Sequence, residues 1–487
     1  MAALLASKVA RREIETDYLV IGAGASGMAF VDALLTGSDA QVVIVDRRHQ
    51  PGGHWLDAYP FVRLHQPSAN YGVASRRLGA DRLDACGPNA GFYERATAHE
   101  ICDYYARVLD EFVSGGRVRF LGMCDYRGQD SGGHHAVSLL TGADTTIRAR
   151  KLVDATYIES DVPSRHTPSF AVDEDVTLIP PNDLVALADA PRAFTVIGGG
   201  KTALDTCNWL LDYGVDPGRI QWIRPRDSWL FARAAIQPLE LVGSYMQMQA
   251  RWVRAAAEAE NGADFGRLLE GQDVFVRVDP GVEPEMFRGA TISTQEIEAL
   301  RTIERVVRKG KLRRISTSGL LLEQGEVAAE PGTVYVDCTA AGLPPATPRW
   351  VFARGRITVQ YVTIGFASWS AATIGTIEAS RDDDAEKNRL CPALTFTGNV
   401  RDVLDLANTG MTGLMARSAE SDLATWTDGC RLNPALGAAE RFCEPQVADA
   451  FAVLAENIGP AMANLAQRSR PDSRPIPAIR GGKAQIR

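Results

Sequence analysis

DYLVIGAGASGMAF, residues 17–30, sets an apolar run against a glycine-rich turn and then a stretch with helical spacing. Residues 17–21 read as a buried parallel strand, and the helix after the turn runs to about Thr36. Gly22, Gly24 and Gly27 have separate tasks in such a turn. The first permits the tight bend, the second lets the backbone approach a pyrophosphate, and the third lets helix and strand pack closely. The helix N-terminus then offers free N–H groups and a partial positive charge to phosphates. QVVIVD, 41–46, reads as the next strand. Asp46 at its end lies where a carboxylate accepts hydrogen bonds from a ribose.

AFTVIGGGKTALD, residues 193–205, repeats the pattern. Gly198, Gly200 and Ala203 form the Gly-x-Gly-x-x-Ala variant, with Lys201 and Thr202 in the first helical turn. The following strand, IQWIR, 220–224, leads not to an acid but to Arg224 and Arg226. Arginines there can pair with a 2′-phosphate and stack on adenine, which predicts NADPH over NADH. The bland reading makes them solvated loop residues. Two unlike loops in one chain suit a flavin enzyme, in which one domain holds FAD and the other brings the nicotinamide to it.

The 487 residues exceed one ordinary core, so two domains are expected. Hydrophobic content of 45% and charged content of 23% suit a globular chain. A net charge of −8 argues against a nucleic-acid partner or an anionic membrane surface. No apolar stretch approaches the roughly 18 residues of a membrane span. The start, MAALLASKVARRE, places its Lys and Arg after the apolar part, unlike a signal peptide, so a cytoplasmic protein is expected. The cysteines, 8 in all, form no Cys-x-x-Cys pair, and no metal site is signalled.

Further strands are expected at RVRFLG, HAVSLL and TIRARKLVDAT, and a capping box at Thr97 and Glu100 starts a helix. Ser293 with Glu296 predicts another helix, ending at Gly310. LVGSYMQMQARWV reads as a core helix rather than a substrate lid. TVYVDCTAAG closes the second unit, and ITVQYVTIGF and LTFTGN return the chain to the first.

After Asp46 comes RRHQPGGHWLDAYPFVRLHQP, residues 47–67. GGHW, then YP and RLHQP, together with the two glycine loops, resembles the class B flavoprotein monooxygenases, the superfamily of flavin-containing and Baeyer–Villiger monooxygenases. The resemblance covers about 15–70 and 190–226. It implies an α/β fold of two Rossmann-like dinucleotide-binding domains, the NADP domain inserted in the FAD domain. The FAD domain would span 1–190 and return at 346–466 with C-terminal helices. The NADP domain would span 191–345, with a helical insertion at about 231–310, and 467–487 would be a mobile or docking tail.

FAD would lie on Gly22, Gly24, Gly27, Asp46, Arg47, Gly53 and Trp55, with Gly398-Asn399 where relatives carry a Gly-Asp. NADPH would lie on Gly198, Gly200, Lys201, Thr202, Ala203, Arg224 and Arg226. The implied reaction inserts one oxygen of O₂ into a small organic substrate at nitrogen, sulfur or a carbonyl carbon. Arg63, His65 and Asn70 are the candidate catalytic residues: a cation for NADP⁺ or an anion formed at the flavin, an acid or base, and a hydrogen-bonding amide. Each is equally readable as a structural loop residue.

The chain departs from the family between the two loops. The Phe-x-Gly-x-x-x-His fingerprint is absent from VDATYIESDVPSRHTPSF, although His166 remains, and Tyr157 replaces the usual glycine of Ala-Thr-Gly. An NADPH-dependent flavin dehydrogenase without oxygen insertion therefore stays open, as does a catalytically decayed cofactor-binding or redox-sensing protein. No cysteine pair follows the first loop, which sets disulfide reductases aside. A homo-oligomer is left open.

Overall fold

The computed structural model describes residues 12–469 except 344, 345 and 348, so most of the tail expected at 467–487 lies outside the described residues. The expected α/β architecture is present, with Rossmann-like units built on two sheets. The first sheet runs, edge to edge, Phe352–Ala353, Arg356–Thr358, Asp144–Asp154, Arg12–Ile21, Val42–Val45 and Val118–Leu121. Arg12–Ile21 is parallel to both neighbours, with Val20 opposite Ile44 and Val153. Val42–Val45 is buried on both faces, as a near-continuous Val/Ile run in a parallel sheet should be.

The helix Ala25–Gly37 follows the first strand, and Ala367–Ser380 lies against it. Their close approach needs Gly375, where a Cβ would stand 2.6 Å from the Phe30 carbonyl oxygen. The second sheet runs Val306–Val307, Ile220–Ile223, Ala193–Ile197, Thr333–Asp337 and Leu178–Ile179, all parallel.

Several boundaries differ from the sequence reading. Leu178–Ile179 already belongs to the second sheet, so the second unit begins before residue 191. The chain returns to the first sheet through Arg356–Thr358, parallel to Asp144–Asp154. LTFTGN, expected as the late strand, runs outside the sheets and makes a single bridge, Asn399 to Met286. Both capping boxes form, but the helix begun at Ser293 stops at Arg301. Its continuation is interrupted because Val306–Val307 is drawn onto the second sheet beside Ile220–Ile223.

A helical cap covers the space between the units. Val242–Glu258, which contains LVGSYMQMQARWV, packs against the long C-terminal helix Pro445–Arg468, and Val403–Ser418 packs against the latter. No helix among the described residues is long and apolar enough to cross a membrane.

Candidate nucleotide and substrate cleft

A cleft of about 1140 Å³ is lined from both units and from the helical cap. The geometry of the two glycine loops can be tested against nucleotides directly. In the first, Gly22 has φ +100° and a Cβ on Gly27 would lie 2.0 Å from the Gly22 carbonyl oxygen. Gly53, φ +59°, meets Gly24 so closely that a Cβ on Gly53 would be 2.9 Å from the Gly24 Cα. Two glycines thus let the GGHW segment touch the loop. In the second, Gly198 has φ +140° and its Cβ would meet the Cys338 carbonyl oxygen at 2.5 Å, whereas a Cβ on Gly200 would meet nothing within 4 Å. That open space lies before the loop that lines the cleft from Gly198 to Thr202.

The helices after the loops begin at Gly24 and Gly200 with no side-chain cap and no acid in the first turn. The helices begun at Thr97 and Ser293 have capping boxes instead. Uncapped N–H groups facing an acid-free turn suit a phosphate anion. The donor set of the second loop lines the cleft, whereas Gly22, Gly24, Gly27, Asp46, Arg47 and Gly53 lie outside its lining, which the first unit reaches through His54 and Trp55.

Asp46 is buried, and its Oδ2 accepts from the Ala23 N–H at 2.6 Å and its Oδ1 from the Arg48 N–H at 2.8 Å. Each oxygen keeps acceptor capacity for a ribose hydroxyl. Arg47 is exposed and stands 3.6 Å from Asp125. Trp55 lines the cleft, its Nε1 donating to the Tyr71 hydroxyl at 2.7 Å with the rings edge-on. Tyr71, which sequence reasoning passed over, lines the cleft too.

On the nicotinamide side Ala203 is buried, and Lys201 pairs with Asp205, whose other oxygen accepts from the Tyr59 hydroxyl at 2.8 Å. The two arginines separate. Arg224 is only 3% exposed, pairs with Asp227 at 2.8 Å and lies over the Trp222 ring. It is thus withdrawn from a 2′-phosphate, correcting the expectation for it. Arg226 is exposed and lines the cleft, joined by Lys311, which arrives from a distant segment with no motif to announce it.

Three further expectations change. Arg63 is exposed, donates to the Arg95 carbonyl at 3.0 Å and lies outside the cleft lining. Asn70 is buried and also outside it. Gly398 packs on Arg288, which lines the cleft, and Asn399 caps its own turn through the Arg401 N–H at 2.9 Å; neither residue is itself part of the lining. After the return strand the cleft is lined by Tyr361, by Thr363 to Ala367 at the start of the helix Ala367–Ser380, and by Phe396 of LTFTGN. The legible signal was Gly365, φ +78°, just before that helix. His166 is held by Asp161 at 2.8 Å and Thr339 at 3.2 Å, a bracing role in the linking segment.

His65 does line the cleft, as does His54. Burial pulls both rings down to about 4, helped at His65 by Lys201 and at His54 by Arg48. Both are neutral near pH 7, so His65 is not a resident cation, and the burial that keeps it neutral also makes it a weak base. Below about pH 6.5 the unfolded chain takes up protons that these folded rings refuse. Stability should therefore fall as pH drops from about 6.5 toward 4, and His54→Gln with His65→Gln should flatten that loss. Urea denaturation at the two ends of this window checks it.

Residues 20–74 match the NAD(P)-binding Rossmann-like domain family. Uncharacterized protein Rv2000 of Mycobacterium tuberculosis is 41% identical over 425 residues, covering 87% of this chain and 78% of that protein. Uncharacterized protein Mb2023 of Mycobacterium bovis gives the same figures. The chain belongs to this mycobacterial protein's family. Among solved structures, the polycyclic ketone monooxygenase of the thermophilic fungus Thermothelomyces thermophila superposes with a TM-score of 0.50 at 12% identity, over 96% of this chain and 90% of that one. The chain therefore shares the fold of this solved monooxygenase, as the GGHW segment and paired loops led us to expect.

Proposed function

We propose that this chain is an FAD- and NADPH-dependent oxidoreductase, and specifically a monooxygenase that places one oxygen of O₂ in an organic substrate. The observation that carries this reading is the shared cleft: the Trp55–Tyr71 pair of the first unit and the Gly198–Thr202 loop of the second line the same space. Bound FAD would accept hydride from NADPH and supply the electrons for O₂ reduction. The chain's own residues do the rest. The uncapped helix starts bind the pyrophosphates, and Asp46 holds a ribose while fixing the loop at Ala23. Arg226 and Lys311 receive the 2′-phosphate. Trp55, fixed by Tyr71, orients the ring system, and neutral His65 can offer a hydrogen bond at its ring nitrogen without carrying charge. The apolar cap excludes water.

A flavin dehydrogenase is the second reading, and the placement of Arg63 and Asn70 outside the cleft favours it. Turnover under ¹⁸O₂ separates the two. The monooxygenase reading expects one labelled oxygen in the product; label found only in peroxide or water leaves the dehydrogenase.

A further inference from the structure

Arg95, Arg224, Arg233 and Arg417 are the buried arginines among the described residues. The first three keep an acid: Arg224 has Asp227 at 2.8 Å, and Glu296 lies 2.5 Å from Arg233 and 3.6 Å from Arg95. Arg417, 6% exposed, has none. Its Nη1 donates to the Leu390 carbonyl at 2.8 Å, which ends the helix Asp384–Leu390 and offers only the fractional charge of a helix C-terminus. Its Nε and Nη2 have no partner among the described residues. Cys391 is the one ionisable group that acts on Arg417, and burial pushes that thiol up to about 12, so it supplies no anion. Buried charges are ordinarily paired, because an unpaired one forfeits its water without return.

Arg417 lines the cleft, at one end of a wall built by the helix Val403–Ser418. Gly410 lines it too, and a Cβ there would meet Ile364 of the first unit at 3.0 Å. About 10 Å of helix separates the two. Met411 and Leu414 line the cleft between them, and Trp252 and Leu454 line it from neighbouring helices, so the wall is apolar up to the guanidinium. The other cations of the lining, Arg226, Arg288 and Lys311, belong to the nucleotide end, where Arg288 donates to the Ala341 carbonyl and feels the charge of Arg226. Asp428 also lines the cleft, but it is exposed to water and does not act on Arg417.

We propose that Arg417 binds the carboxylate of an organic acid whose apolar body lies along this wall toward Ile364. With Nη1 taken by Leu390, the Nε–Nη2 edge is left, and that edge meets both oxygens of one carboxylate in parallel hydrogen bonds. The ligand then supplies the acid that the other buried arginines find within the chain. Met411 and its apolar neighbours cover the body of the ligand, methionine adapting to its shape. The inference names a substrate class for the oxidoreductase reading and rests on the cleft being the reaction site, but binding can be read without turnover.

The test is calorimetric titration of the purified full-length holoprotein with octanoate and with methyl octanoate, in saturating NADP⁺ so that the cations of the nucleotide end are occupied. Octanoate should bind about tenfold to a hundredfold more tightly than the ester. Arg417→Gln should remove that advantage and leave the ester's affinity as it is. Arg417→Lys keeps the charge but not the paired edge, and should retain only part of the advantage. If Arg417→Gln does not fold, the wild-type comparison and Arg417→Lys still decide. An ester that binds the wild type as tightly as the acid overturns the proposal, as does an Arg417 variant that keeps the acid's full advantage. A protein that prefers octanoate through Arg417 but holds no FAD would instead fail the oxidoreductase reading while leaving this site intact.

Discussion

Alanine at Gly27 should give a colourless protein, and alanine at Gly198 a yellow one that NADPH scarcely bleaches. The first change puts a Cβ 2.0 Å from the Gly22 carbonyl oxygen, which is backbone and cannot step aside. The turn must open, and the pyrophosphate loses the loop that cradles it. The second puts a Cβ 2.5 Å from the Cys338 carbonyl oxygen at a φ of +140°. Only the second loop is then displaced. A misplacement of about 1 Å costs on the order of a hundredfold in rate, so hydride transfer should slow at least that much while flavin content holds. Visible absorbance with and without NADPH, alongside circular dichroism, reads both outcomes. Equal flavin loss in the two variants would mean the loops do not serve separate nucleotides.

Arg224 and Arg226 should part company in the same way. Arg226→Ala removes a charge that faces the cleft, and KM for NADPH should rise about tenfold to a hundredfold with little change for NADH. Arg224→Ala removes a buried partner of Asp227 and should lower stability by about 3 kcal/mol, with Arg308, 3.2 Å from the same carboxylate, limiting the loss. Thermal unfolding and steady-state kinetics of both variants distinguish the roles. The reverse assignment, with Arg224→Ala altering cofactor preference and Arg226→Ala altering stability, would refute this division.

These two arginines show where sequence reading reaches its limit. The glycine loops, Asp46 and the GGHW segment were legible because each depends on local backbone geometry: a positive φ, a close approach, an acid at a strand end. The strand–turn–helix order carried them without tertiary information. Arg224 and Arg226 are two residues apart, and only packing against Asp227 and Trp222 decides which one is buried. Lys311 reaches the cleft from a segment with no motif, and Tyr71 matters only because Trp55 points at it. Of the two return segments expected, ITVQYVTIGF supplies Ile357 and Thr358 of the strand that joins the first sheet, and LTFTGN was misplaced for a related reason. LTFTGN has good strand composition but lies beyond the helix Ala367–Ser380, while the short Arg356–Thr358 is the one that reaches the first sheet. Arg63 lies in the segment expected beside the flavin and Asn70 at the place of an amide in relatives, but long-range packing, such as the Arg63 bond to the Arg95 carbonyl, leaves both outside the cleft lining.

The central claim is that two different nucleotides meet in one cleft. Anaerobic stopped-flow mixing of the purified protein with NADPH tests it most directly. The account predicts a protein that carries FAD at one per chain and whose flavin absorbance bleaches on mixing, faster with NADPH than with NADH. A protein that retains no FAD after reconstitution, or whose bound flavin stays oxidised with both nucleotides, would contradict it.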